Sequence, residues 1–156
     1  MMTVEIVYTD SEDQDFAKLI KMLDEDLNER YGELQKQYEA HNRIDHIKNV
    51  VLLYVEGHPA ACGAFKRYDP ESAELKRIFV AKEYRGLGLS KILVARLEEW
   101  AIKEGFGYAV LETGKRQNEA IGLYKKCGYE VIPNYGVYIG NSNSVCMRKS
   151  LVQNRE

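Results

Sequence analysis

Residues 74–97 read ELKRIFVAKEYRGLGLSKILVARL: an apolar strand-like run, a short polar turn with two glycines, then apolar residues at helical spacing. That order predicts a phosphate-binding turn. Gly86 and Gly88 carry no Cβ, so backbone N–H groups at the helix start can approach an anion closely, with the positive end of the helix behind them. Arg85 and Lys91 bracket the turn with positive charge. The dinucleotide pattern GxGxxG would need a third glycine where Lys91 stands, and GxxxxGK[ST] fits in no register. What remains is R/Q-x-x-G-x-G/A, met by Arg85 and Gly88 with Ser90 at its last position. A plain turn before a helix predicts the same two glycines.

The rest of the chain arranges itself around this unit. Residues 3–8 alternate as a first strand, and Ser11 with Gln14 forms a capping box ahead of Phe16, Leu19, Ile20, Leu23 and Leu27. Residues 28–42 are charged and less regular, a second helix or helical loop. Residues 50–55 and 60–67 flank the turn Glu56-Gly57 and read as a hairpin, and Asp69-Pro70 marks the next turn. Residues 75–80 lead into the glycine turn. Leu89, Leu93, Leu97, Trp100 and Ala101 give the helix after it a buried stripe that Gly105 ends. A strand at residues 108–113 precedes a helix with Ala120, Leu123, Tyr124 and Cys127 on one face, stopped at Gly128. Strands at 129–132 and 144–148 close the chain, joined by an irregular loop.

With 156 residues the chain is one domain, residues 1–156. A hydrophobic share of 45% and a charged share of 29% fit a folded globular chain and disfavour disorder. The net charge of −2 gives poor ground for a nucleic-acid partner, which calls for a concentrated basic surface; a local basic turn suits a small polyanion better. The cysteines Cys62, Cys127 and Cys146 lack metal-ligand spacing, so no metal is expected and a reduced, cytoplasmic setting is. The N-terminus has no basic-then-apolar signal and no stretch reaches membrane-spanning length, so neither export nor a membrane partner is expected.

Two blocks in order, ELKRIFV…RGLGLSKIL and LETGKRQNEAIGLYKKCGYEVI, resemble the GCN5-related N-acetyltransferase (GNAT) family. The likeness covers most of the chain. In the second block the recurring elements are Gln117, Ala120, Leu123-Tyr124 and Gly128-Tyr129. The resemblance implies an α/β fold with a mixed, twisted central sheet whose strands splay apart, flanked by helices. It implies acetyl-CoA as acyl donor, with backbone groups of Ile78, Phe79 and Val80 along its pantetheine arm. Arg85, Gly86, Leu87, Gly88, Leu89, Ser90 and Lys91 would hold the pyrophosphate. Ser90 replaces the usual glycine or alanine, and Gln117, another cofactor contact, replaces the more frequent asparagine.

Acyl transfer from a thioester to an amine needs a neutral nucleophile, a stabilised oxyanion and a proton for the thiolate. Alkylamines have pKa values near ~10, so a base must take a proton first. Glu112, inside the strand YAVLET, and Glu74, at the start of the cofactor strand, both stand where family members place a base. Tyr124 is the expected proton donor to sulfur. Cys127 sits at a core-type position with no nearby histidine, so an acyl-cysteine route is disfavoured. His41, His46 and His58 are scattered, and Lys76-Arg77 and Lys125-Lys126 read as solvated charges, the first pair flanking the cofactor. For the acceptor, the candidates are Asp24, Asp26, Arg30 and Tyr31, and the late loop with Asn134, Tyr135 and Tyr138.

The expected activity is transfer of an acetyl group to a primary amine of a small molecule by direct attack in a ternary complex. A peptide or protein amine as acceptor, and a CoA-binding sensor without turnover, are the rivals. Many family members pair, so the resemblance allows a homodimer.

Overall fold

The computed structural model describes residues 2–31 and 46–151, residues 30 and 31 by their backbone alone. Most of the helical region expected at residues 28–42 therefore lies outside the described residues, with Tyr38 and His41. The strands are β1 (Val4–Thr9), β2 (Asn49–Val55), β3 (His58–Asp69), β4 (Ser72–Val80), β5 (Tyr108–Gly114), β6 (Glu130–Ile132) and β7 (Ser144–Ser150). The helices are α1 (Gln14–Tyr31), α2 (Leu89–Lys103) and α3 (Asn118–Lys126). The strands form one seven-stranded sheet in the order β1-β2-β3-β4-β5-β7-β6, antiparallel everywhere except between β4 and β5.

The sheet is covered on both faces, which explains why β2 is apolar from Val50 onward. Alternate β2 residues point to opposite sides. Val51 and Leu53 pack with Leu93, Val94 and Leu97 of α2, whereas Val50 and Leu52 pack with Phe16 and Leu19 of α1. Gly63 in β3 lets α2 lie close: a Cβ there would stand 2.9 Å from Leu97 Cδ1. The β2–β3 hairpin turns through Glu56 (φ 51°) and Gly57 (φ +83°), the pair of left-handed residues that a tight two-residue hairpin demands.

One expectation fails at the start of α1. Ser11 does not cap the helix. Its Oγ accepts the Ile47 N–H at 2.8 Å and its own N–H bonds Ile47 O at 2.9 Å, while Asp13 Oδ1 takes the Asp15 N–H at 2.9 Å. Both residue types suit a cap, and a tertiary contact across the chain decides between them. β4 also begins earlier than its apolar run suggests, because Ser72, Ala73 and Glu74 pair with both β3 and β5.

The joint between β4 and β5 positions the site. Their parallel pairing consists of Ser72↔Tyr108, Ala73↔Ala109 and Glu74↔Val110, and then the strands part. Just beyond, β4 bulges: Lys76 faces Ala64 and Phe79 faces Cys62, leaving Arg77 and Ile78 opposite Gly63. Arg77 has φ 59° there, a left-handed backbone rare for a bulky residue. The bulge bends β4 away from β5 and opens a cleft between them.

Candidate active site

At the N-terminus of α2 the glycine turn leaves backbone donors without side-chain partners. Gly86 (φ +83°) and Gly88 (φ +80°) both take left-handed backbone. Gly88 is the N-cap, and no side chain caps the helix. The first intrahelical donor is Ile92, to Gly88 O at 3.4 Å, so the N–H groups of Leu89, Ser90 and Lys91 precede the ladder. Nothing lies within 4 Å of where a Cβ would stand on either glycine. The turn is open to an anion, and the residues fit a diphosphate. Val80, Arg85, Gly86, Gly88, Leu89, Ser90 and Lys91 line one opening there, together with Tyr84 and Leu123. Leu87 is exposed beside it. Arg85 reaches back along the strand: Nε donates to Val80 O at 2.9 Å, and its guanidinium lies 3.9 Å from Asp26 of α1. The Phe79 side chain turns the other way, into the core beneath α1, so only its backbone can serve a ligand.

The cleft between the parted strands, about 120 Å³, gathers Glu74, Lys76, Arg77 and Ile78 from β4 with Glu112 from β5. Ala120 and Tyr124 enter from α3, with Gln117 just before it, Leu23 and Leu27 from α1, and Tyr138 from the β6–β7 loop. The two glutamates are held differently. Glu74 is buried; its Oε2 accepts the Tyr135 hydroxyl at 2.7 Å and its Oε1 lies 3.7 Å from Lys76 Nζ. Glu112 accepts the Ser144 hydroxyl on Oε2 at 2.7 Å. Burial pushes the Glu112 carboxyl up to about 7, with the Glu74 charge adding to the rise and Ser144 and Lys76 opposing it. A carboxyl poised there changes charge around neutral pH.

Tyr124 is buried in the same wall. Removal from water, with a smaller contribution from nearby Cys127, raises its phenol above the ordinary range, so it holds its proton. Burial also pushes up the thiol of half-buried Cys127, which makes it a poor nucleophile, as its helix position implies.

On the acceptor side the structure redistributes several candidates. Asp24 Oδ1 pairs with Arg77 Nη1 at 3.1 Å and Asp26 faces Arg85, so the two acids tie α1 to β4 and to the glycine turn. Lys76 and Arg77 are mostly buried in the cleft wall, which corrects their reading as solvated charges; Lys125 and Lys126 are exposed as expected. Asn134 builds the loop instead of facing a ligand: Nδ2 donates to the carbonyls of Tyr138 and Asn141 at 3.1 and 3.0 Å. Tyr135 reaches Glu74 and lies 4.7 Å from the Tyr68 ring. Tyr31 ends α1, and its side chain falls outside the described residues, as does that of Arg30. His46 and His58 lie away from the cleft, and among the described residues no group of side chains could hold a metal ion. Sequence reasoning missed Ser144. It stands 32 positions from Glu112, and only the β5–β7 register, Gly114↔Ser144, brings it close.

Comparison with known proteins points one way. The acetyltransferase (GNAT) family profile matches residues 16–129. An uncharacterised N-acetyltransferase of Dictyostelium discoideum is 44% identical over 77 residues, 49% of this chain and 35% of that one. The chain spans about half or less of the length of the first curated relatives it matches. A Klebsiella pneumoniae protein assigned as an acyl-CoA N-acyltransferase superposes with a TM-score of 0.73 at 28% identity, covering 97% of this chain and 99% of that one. A Bacillus anthracis protein assigned as a streptothricin acetyltransferase, solved in complex with acetyl coenzyme A, gives 0.59 at 25% identity, covering 67% and 62%. The Klebsiella pneumoniae protein matches the fold of this chain, with its seven-stranded sheet, over nearly the whole length of both.

Proposed function

This chain belongs to the acetyltransferase (GNAT) family, and from that premise we propose that it moves an acetyl group from acetyl-CoA to a primary amine of a small molecule by direct attack in a ternary complex. The observation that carries the reading is convergence. An uncapped helix start with two left-handed glycines adjoins a cleft whose walls hold a carboxyl near neutrality and a protonated phenol.

In this reading the first-turn N–H groups of α2, with Arg85 and Lys91, bind the diphosphate, and the open edge of β4 at Ile78 to Val80 receives the pantetheine arm. Gln117 lines the cleft near the arm's sulfur end. Acetyl-CoA supplies the acyl thioester. Glu112 takes the proton from the acceptor ammonium, directly or through one water, and frees the nitrogen lone pair to form the C–N bond. Glu112 suits this better than Glu74, whose two oxygens already face Tyr135 and Lys76. As the C–S bond breaks, Tyr124 gives its proton to sulfur, which departs into the same water-poor wall where desolvation raises its own proton affinity. Both groups regain their starting states by exchange with water. Glu74, Tyr135, Tyr138 and the end of α1 with Tyr31 wall the acceptor.

The small cleft supports a compact acceptor over a folded protein. A panel of amines, amino acids and short peptides assayed for acetyl-CoA-dependent thiol release tests the proposal. Turnover with a small amine supports it, turnover confined to peptides replaces its acceptor, and CoA binding with no turnover on any amine turns it into a sensor.

A further inference from the structure

We propose that Ser144 is a positioning residue for acyl transfer: its hydroxyl holds Glu112 by Oε2, so that the proton leaving the acceptor is received on Oε1. The inference rests on the reading of Glu112 as base. A hydroxyl has one hydrogen to give, and at 2.7 Å from Oε2 that hydrogen is spent on Glu112. An oxygen that is already accepting from a donor is the less basic of the two, so the carboxylate protonates on the other. The contact therefore orients the carboxylate, selects the oxygen that protonates and favours the ionised form.

The surroundings show that the hydroxyl is held in place. Ser144 is buried at 7% exposure and pairs with Gly114 across β5–β7. Its N–H bonds Asn141 O at 3.1 Å, and the neighbouring Asn143 carbonyl accepts the Lys115 N–H at 2.8 Å. Asn141 Oδ1 takes the Asn143 N–H at 2.9 Å, while Asn134 ties down the rest of the loop. The serine thus reaches the cleft on a backbone anchored from both strands. Among the described residues, the other titratable and charged groups around Glu112 are Glu74, Lys76 and Arg77 on β4, Cys146 beside it on β7, Tyr135 and Tyr138 in the loop and Tyr124 on α3. Burial pushes the Cys146 thiol up to about 11 and the Tyr135 and Tyr124 phenols upward, so these three stay neutral. Lys76 and Glu74 act on Glu112 in opposite directions and are untouched by a change at position 144.

The test is the pH dependence of kcat/KM for Ser144→Ala and Ser144→Thr with the best amine of the panel, across about pH 6 to 9.5. A hydrogen bond to a charged group is the kind of contact whose loss moves a pKa by about one unit. Ser144→Ala should shift the acidic limb upward by about one unit, lowering the rate at pH ~7 by about fivefold and recovering most of it on the alkaline plateau. Ser144→Thr should restore the parent limb. Titrating the Glu112 carboxyl carbon by NMR gives the same shift without relying on turnover. A Ser144→Ala protein that loses rate equally at every pH, with the Glu112 titration unmoved, overturns the proposal. Glu112→Gln separates the two layers: if it keeps the limb, the base reading fails, and if it abolishes the limb while Ser144→Ala leaves it in place, only the role of Ser144 falls.

Discussion

Tyr124 and Glu112 face one cleft from different elements, and burial acts on them in the same direction with opposite uses. It keeps the phenol charged with its proton and leaves the carboxyl half ready to accept one. Tyr124→Phe removes only the hydroxyl, so turnover should fall roughly ten- to a thousand-fold while the CoA dissociation constant, measured by calorimetry, stays within about threefold. An unchanged rate would remove the phenol from the mechanism. Glu112 also leaves a mark on stability. Its pKa is raised on folding, so the folded chain binds more protons than the unfolded one between about 4.5 and 7. The stabilisation from that group is complete below the lower value and is lost as pH rises through the upper one. Glu112→Gln lacks this loss, and its stability relative to the parent should rise by on the order of 1–3 kcal/mol between about pH 5 and 7 in denaturant melts.

The glycine turn and α2 form the element on which the proposed cofactor recognition rests. Gly88 has φ +80° and open space beside it, so Gly88→Glu strains the backbone and hangs a carboxylate over the uncapped N–H groups. CoA affinity should drop by more than about a hundredfold in titration calorimetry, with the melting curve still cooperative. Micromolar binding by that variant would move the phosphate site elsewhere. This element was legible from residues alone, because Arg85, the two glycines and the Leu89, Leu93, Leu97 stripe are local and periodic. The Glu56-Gly57 hairpin was legible for the same reason. What escaped depends on register between distant strands. The bulge at Arg77, the Ser144 contact and the transfer of the helix cap from Ser11 to Asp13 leave no local pattern, whereas the parting of β4 from β5 was expected from the family resemblance alone. Each is decided by partners many positions away, such as Ile47 for Ser11.

For the whole molecule, the claim is that a cleft opened by β4 and β5 runs from the diphosphate turn to the acceptor wall, so one ligand should touch both ends. α1 is tied in through Asp24 to Arg77 and Asp26 to Arg85, and in the proposed reading a diphosphate at the turn would compete with Asp26 for Arg85. The most direct measurement is amide hydrogen exchange with and without CoA. The account predicts protection concentrated at residues 78–80 and 86–91, with a smaller change in the second half of α1. Protection confined to other segments, or no change at saturating CoA, would contradict it.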